Sequence, residues 1–448
     1  MAGIAGINKP NESQLIKKIL EKISHRGKEA IEIVENKSAT IGIVMDSNSK
    51  SNKMIFHQKL FVQDGNGDGR LAKASIDGRG LSLIRDELGA APLYYGFTED
   101  ESLCFASEVK ALKDFVKSVF EFPPGYIFSN NSFNKYFKLK FDPMFNENET
   151  EIANKLYSLL SEAVEKRIKN KIAAAWLSGG LDSSSISSIV RKHVDKLHTF
   201  SVGLEGSPDL EYAKAAAEFI RSRHHEIKVT VKELIKLLPD VIYHLESFDA
   251  LLVRSSLTNF VVGKASSDYS DAVFSGEGGD ELFAGYEYLK SLDTSNLQGE
   301  LIDITNRLHN TALQRVDRCS SAHGITAHVP FADPIVFNYA FQIPGDLKLK
   351  DKTEKWILRK AMNNSLPVKI LNRTKAKFWE GAGIHELIYD YAKEKITDDD
   401  FRGERILPNG WKLNSKEELL YYRIFREHFG EFNELSWMGR TKGAPMEK

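Results

Sequence analysis

The sequence predicts two units, a strand-rich α+β unit over residues 1–148 and, over residues 149–448, an α/β unit whose parallel sheet carries helices on both faces. Three observations support this expectation. The chain has 448 residues, too many for one ordinary hydrophobic core. From about residue 149, short apolar runs alternate with patterns of helical period, as in a sheet assembled from crossover units. Before that point, short strand signals follow one another with turns between them.

The elements follow in order. Residues 2–7 are small and apolar, and Leu15, Ile19, Leu20 and Ile23 then recur at helical spacing. Residues 41–45 read as a strand, Gly65, Gly67 and Gly69 as a turn-rich stretch, and residues 81–84, 93–96 and 103–105 as further strands. Pro123, Pro124 and Gly125 mark a turn, and a stretch rich in Asn, Phe and Pro ends near residue 148, where we place the connection. Beyond it, Ile152, Leu156, Leu159, Leu160, Ala163 and Val164 share one helical face. Residues 171–177, 198–204 and 271–274 read as strands; residues 211–220, 231–245 and 255–265 read as helices. The last third is mostly helical, with amphipathic stretches at 353–366 and 416–429.

Composition excludes several classes. Lys+Arg 61 against Asp+Glu 62 gives a net charge of -1, which favours neither a nucleic-acid nor a membrane-surface partner. The two cysteines, Cys104 and Cys319, are far apart, so neither a disulfide framework nor a cysteine-rich metal site is expected. No secretory signal and no run of about 18 apolar residues is evident, and the expectation is a cytoplasmic protein.

The most informative segment is Ser178-Gly179-Gly180-Leu181-Asp182-Ser183-Ser184, between an apolar strand and a helix. Glycines there let backbone N–H groups approach an anion, and the helix N-terminus adds a favourable dipole. The serine hydroxyls can donate to phosphate oxygens. Asp182 would repel a bare phosphate and makes sense as a magnesium ligand. The plain alternative is a strand–turn–helix junction with serine caps.

This segment resembles the PP-loop, SGGxDSS, of the N-type ATP pyrophosphatases. With FSVGLEGSPDLEYA from Phe200, ESFDALLVRSS from Glu246 and FSGEGGDELFAGY from Phe274, the chain resembles the synthetase domain of asparagine synthetases over about residues 150 to 385. The resemblance implies a PP-loop-type parallel sheet and ATP bound by Leu177, Ser178, Gly179, Gly180, Asp182, Ser183 and Ser184. It places Val202, Ser275 and Gly276 near the adenosine, and Asp182 and Asp280 on Mg2+. In NRTKAKFWEGAG from Asn372, Lys375 matches the family lysine that offsets charge on the phosphates, with Lys377 as the fallback. Lys355, in KTEKWILRK, matches another position near the phosphates, against the alternative of a solvent-facing helix lysine. Glu277 stands where asparagine synthetases carry a glutamate near the acyl-adenylate and the incoming amine; a β-lactam synthetase would carry tyrosine. Asp249 and Arg254 are candidate substrate contacts, with a structural ion pair as the alternative. Thr326 and His328 in Ile325–Phe331 depart from the family's VEARVPF, which bears on the substrate more than on ATP use.

The opening MAGIAG resembles the MCGIxG start of class II glutamine amidotransferases, implying a shortened Ntn-hydrolase-like αββα unit, with Ala2 where the cysteine nucleophile belongs. His25-Arg26-Gly27 matches the family's HRG, but Lys28-Glu29 replaces its PD. The arginine segment HxRLSI and the oxyanion-hole segment NGEIYN have no counterpart. By contrast, Arg85–Gly89, Pro92–Gly96 and Phe105–Leu112 match scaffold segments. One Cys→Ala exchange would explain Ala2 alone, not the rest, so glutamine hydrolysis is not expected. The leading expectation is therefore an ATP-dependent ligase that adenylates a small-molecule carboxylate, aspartate first, and amidates it with ammonia or another amine. Ring or peptide-bond closure, as in β-lactam synthetases and lasso-peptide cyclases, is the second reading; a non-catalytic nucleotide-binding paralogue is the third. The family also suggests a homodimer.

Overall fold

In the N-terminal part, β1 (Ala2–Ile7) shows how alternation builds the layers. Ala2 and Ile4 point to one side and Ala5 and Ile7 to the other, and all are buried, so both faces of this strand are covered. The computed structural model describes residues 1–46, 53–56, 59–143, 147–374 and 385–442. Helix α1 (Ser13–Glu21) lays Ile16, Ile19 and Leu20 on the outer face of β1 and of β3 (Thr40–Met45). In the first antiparallel sheet the order is β10-β8-β9-β1-β3-β2, where β2 is Ala30–Glu35, β8 Tyr94–Phe97, β9 Leu103–Ala106 and β10 Val119–Glu121. Against it stacks a second antiparallel sheet, ordered β12-β11-β7-β6-β5-β4. Its strands are β4 (Lys53–Phe56), β5 (Lys59–Gly65), β6 (Leu71–Asp77), β7 (Gly80–Arg85), β11 (Tyr126–Ser129) and β12 (Ser132–Lys135). Both α-helices described before residue 148, α1 and the short α2 (Val109–Leu112), pack on the first sheet. This is the shortened form of the αββα arrangement.

The C-terminal part begins with α3 (Glu149–Glu165). Asn148 caps it, its side chain accepting from the N–H of Thr150 and of Glu151 while Glu151 bonds back to the Asn148 N–H. The parallel sheet has the order β15-β14-β13-β16-β17, from β13 (Ile172–Trp176), β14 (Lys196–Gly203), β15 (Arg223–Lys228), β16 (Ala272–Phe274) and β17 (Thr326–His328). Ala173 and Ala175 of β13 face the core under α3, α4 (Leu181–His193) and α5 (Pro208–Ile220); Ala174 and Trp176 face the core under α6 (Val231–Leu245) and α7 (Ala250–Ser267). The short α8 (Gly279–Leu282) follows β16, and α9 (Thr294–Asn306) and α10 (Ala312–Ser321) then lead into β17. The predicted helix at 255–265 thus begins five residues earlier, and α7 is buried on nearly every side, which blurs its period. Strand order reverses between β13 and β16, which opens a crevice at the carboxyl ends of these strands.

The two parts meet through a shared apolar core and a buried set of charges. Arg26 is wholly buried and uses its whole fork. Nε donates to the Ala2 carbonyl at 3.1 Å, Nη1 to Glu108 at 2.8 Å and Asp317 at 2.9 Å, and Nη2 to Asp64 at 3.1 Å and Asp317 at 3.0 Å. Arg70 joins Asp64 and Asp317 at 2.6 and 2.8 Å, Arg318 joins Glu246 at 3.0 Å, and Lys110 reaches Glu108 and Glu246. Residues before 149 contribute Arg26, Arg70 and Lys110 against Asp64 and Glu108; those after contribute Arg318 against Glu246 and Asp317. Each side alone is off balance by one charge, and only together do they cancel. Burial opposes ionisation of Asp317, but Arg26 and Arg70 hold its carboxyl below the usual range.

Two predictions follow from this junction. Arg26→Met removes one partner from three buried carboxylates and leaves the set one positive charge short, and urea unfolding should record a loss of about 3–5 kcal/mol; Arg26→Lys, lacking the planar fork, should not restore it. Near the same junction, burial, with Lys110 beside one and Arg167 beside the other, pushes His244 and His328 down to about 3 from 6.5. Between those values the unfolded chain binds protons that the folded one does not, so stability falls as pH drops below about 6.5. Melting temperature followed from pH 8 to 4 should decline from that point, with the raised carboxyls of Glu281 and Glu418 offsetting part of the loss.

Candidate active site at the β13–β16 crevice

The crevice opens into a cavity of about 890 Å3. The turn after β13 supplies Leu177, Ser178, Gly180, Asp182 and Ser183 to its wall, and the turn after β16 supplies Ser275, Gly276, Glu277 and Asp280. The two turns touch: a Cβ on Gly276 would lie 2.6 Å from the Ser183 nitrogen. Ser178 and Ser183 hydroxyls are 3.0 Å apart, and the Gly180 cap of α4 leaves the helix without a side-chain acceptor at its start. The first N–H groups of this 13-residue helix therefore face an anion-sized opening. Gly179, at φ +72°, turns its α-carbon toward Tyr212 and Ala213 of α5, and Ser184 is wholly buried; both support the turn from behind.

Lys355 is buried, not solvent-facing as one reading of its helix allowed. The helix starts at Trp356, and Lys355 precedes it in the left-handed region at φ 56°. From there its ammonium bridges Asp182 and Asp280, the latter at 2.6 Å. A β-carbon on Gly285 would fall 2.0 Å from an Asp280 carboxylate oxygen and 2.3 Å from Lys355 Cε, so only glycine fits beside this bridge. A cation binding there takes one or two carboxylates and fills its other positions with phosphate and water, as Mg2+ prefers, so the donor set fits. Among the described residues, no cluster of three or more His, Cys, Asp or Glu side chains offers another centre.

Helix α7 runs along the cavity as a ruler. Near its C-terminal end the Trp176 indole donates to Ser266 at 3.2 Å, and Trp176, Phe200 and Val262 form an apolar wall. Ser255 accepts from Arg315 of α10 at 2.8 Å, and Arg315 pairs with Glu277 at 2.7 Å. Leu251 and Leu252 line the far end. From 251 to 262 the helix rises about 16 Å. Trp176, at the end of β13, lies against the C-terminal part of this length, and Arg315, bonded to Ser255 nearer its start, reaches back to Glu277 of the β16 turn.

Several expectations need correction. Val202 is wholly enclosed in the core on its strand, and Phe200 takes the cavity wall instead. Arg254 does not reach the cavity; it is buried against Glu417, with Nε at 3.1 Å. Nor does Asp249 line it, being buried as the N-cap of α7, and it does not pair with Arg254. Lys375 and Lys377 lie outside the described residues, while Arg373 and Thr374, just before them, line the cavity. Arg373 donates to the Ser178 carbonyl at 3.2 Å and so braces the β13 turn. Arg315, Glu281 and Tyr286 were missed. Burial and then Asp280 raise the Glu281 carboxyl, which accepts from the Tyr286 hydroxyl at 2.5 Å. Three acids within five residues, 277 to 281, were the available signal for Glu281; nothing local marked Arg315.

Residues 155–303 and 293–443 match the family described as asparagine synthase, and residues 45–114 match the glutamine amidotransferase domain. An asparagine synthetase [glutamine-hydrolyzing] 2 of Oryza sativa subsp. japonica is 35% identical over 396 residues, covering 81% of this chain and 66% of that protein. The glutamine-hydrolyzing asparagine synthetase of Sandersonia aurantiaca is 33% identical over 404 residues, covering 83% and 76%. The chain thus spans about two thirds of the length of the first of these relatives. Among solved structures, the NMN synthetase of Francisella tularensis overlaps 64% of this chain and 98% of its own at 12% identity, with a TM-score of 0.30, too slight to carry an argument.

Gly285→Ala should displace Lys355 and Asp280 and weaken Mg2+-dependent ATP binding at least tenfold, read by calorimetry, with melting temperature reported beside it. Unchanged affinity would separate the Asp182–Lys355–Asp280 bridge from nucleotide binding.

Proposed function

The chain belongs to the asparagine synthase family, and we propose that it is an ATP-dependent ligase that adenylates a carboxylic acid and converts it to an amide with free ammonia or another amine, releasing AMP and pyrophosphate. The observation that carries this reading is the convergence of Asp182, Asp280 and Lys355 beside the N-terminus of α4 at the sheet's switch point. In this reading the N–H groups of the β13 turn and α4 bind the phosphates, and Trp176, Phe200 and Val262 pack on the base. Asp182 and Asp280 would hold Mg2+, which when bound offsets charge on the departing pyrophosphate. The acid's oxygen attacks the α-phosphorus, and Lys355 stabilises the charge that gathers on the phosphates. Next to that site, Glu277 of the β16 turn, oriented by Arg315, holds the incoming amine and accepts its proton. Lys375 stands as a further phosphate contact in this proposal. Residues near 148 divide the amidotransferase-like part from the synthetase-like part.

The relatives named above are glutamine-hydrolyzing, and the nitrogen source is where this chain departs in our reading. Support comes from Ala2 itself. Its side chain points between the two sheets, into the same core as Ile4 and Ile43, and its carbonyl is bonded by Arg26. A thiol placed there would enter a packed apolar layer.

With ATP, Mg2+ and L-aspartate as the first acid tested, ammonium should yield amide, AMP and pyrophosphate, whereas glutamine should not. Ala2→Cys should leave that pattern unchanged, and asparagine or glutamate appearing with glutamine would overturn it. Asp182→Asn should lower pyrophosphate release by roughly a hundredfold or more.

A further inference from the structure

The segment Arg440–Lys442 crosses the far end of the cavity, and each of its three residues lines it. Its fastenings come from three directions. The buried Asp249 carboxylate accepts from the Thr441 N–H at 3.0 Å and from its hydroxyl at 2.8 Å. Lys442 reaches across to α9, pairing with Glu300 at 2.8 Å and with Asp303. Arg440 donates to Glu418 at 2.8 Å and to the Lys412 carbonyl at 2.6 Å, with its guanidinium 4.6 Å from the Trp411 ring. The segment therefore spans from the N-cap of α7 to α9, beside Leu251 and Leu252, at the end of α7 toward which Ser255 and Arg315 lie.

We propose that Arg440–Lys442 is a strap that completes the pocket for the acid and the amine, and that Asp249 is the positioning residue that holds it there. This rests on the reading of the cavity given above. Asp249 touches no cavity-bound group itself. Its two oxygens divide the labour: Oδ1 accepts from the Leu252 N–H at 2.8 Å as the helix cap and from the Thr441 hydroxyl, while Oδ2 alone takes the Thr441 N–H. That division allows the roles to be separated. In Asp249→Asn, the amide oxygen keeps the cap, since asparagine caps helices as well as aspartate does. The amide nitrogen, a donor, then confronts the Thr441 N–H, also a donor. The strap loses this backbone fastening at its centre while α7 stays capped. The nucleotide end, some 16 Å along α7, is left as it was.

The test uses the full chain, comparing wild type, Asp249→Asn and Thr441→Val. In steady state with ATP, ammonium and the acid that supports pyrophosphate release, Asp249→Asn should raise the KM of the acid or the amine roughly tenfold or more, as loss of a charge-assisted hydrogen bond would. The KM of ATP should stay within about twofold, and Thr441→Val should show a smaller shift of the same kind. A change in the KM of ATP as large as that of the acid, or no change in any parameter, would sink the proposal. Should the wild type release no pyrophosphate with any acid, the function proposed above fails, and hydrogen exchange still decides the strap. Loss of protection at the Thr441 amide in Asp249→Asn, with α7 amides unchanged, supports it; retained protection overturns it.

Discussion

Gathering eight charged side chains, seven of them buried, where two halves of a chain meet is tolerable only if every charge finds its complement, and Arg26 is the side chain that makes this possible. Its planar fork reaches Asp64, Glu108 and Asp317 at once, which no point charge could do. Desolvating such a set is costly, so its value lies less in net stability than in permitting one arrangement of the two halves. Any other docking would leave one side with a surplus positive charge and the other with a surplus negative one inside a low-dielectric core.

The consequences of that arrangement reach the cavity through two short pieces of chain. Helix α10 carries Asp317 and Arg318 into the charge network and, less than a turn away, Arg315 onto Glu277. The segment after α6 places Glu246 against Arg318 and against the N–H groups of Val109 and Lys110, then delivers Asp249 three residues later as the cap of α7. The network thus fixes the two elements that shape the far end of the cavity. The β13–β16 end needs no such help, because the parallel ladder and the glycine contacts between the two turns fix it locally.

That division explains what could be read from the sequence. Short turns that carry their chemistry within a few residues were legible: Ser178, Gly180, Asp182 and Ser183 and the acids at 277 and 280 line one cavity, with Gly179 and Ser184 behind the turn. Helices with a single apolar face, such as α6, were placed to the residue. Edge strands were not. Residues 223–228 read RHHEIK, polar on both faces, and β15 is exposed or half-buried throughout at the edge of the sheet among the described residues, while β17 is only three residues long. Partners distant in sequence were illegible for a different reason. Arg254 and Asp249 sit in a segment that lines the cavity through Leu251, Leu252 and Ser255, but their own contacts, Glu417 and Thr441, lie some 160 to 190 residues away. Lys355 was placed near the phosphates by its motif, yet its burial depends on a left-handed residue that breaks the helical reading of its neighbours.

The same physics accounts for which N-terminal segments match the amidotransferase pattern and which do not. The segments that match carry Arg26, Arg85 and Glu108. Arg85 is buried, bonded to the Ala91 and Phe122 carbonyls, and ties the two sheets to the turn before β11; Arg26 and Glu108 serve the junction. The segments that do not match would have built a nucleophile, a carboxylate grip and an oxyanion hole, none of which any described contact to the C-terminal part requires. On the function proposed above, a unit that does not hydrolyse glutamine would still be held to every residue that balances Asp317 and Glu246, because exposing those carboxylates without their partners would unsettle α10 and the start of α7. Chemistry at the N-terminus and support for the distant cavity are separable demands on one small fold, and the residues of this chain satisfy the second.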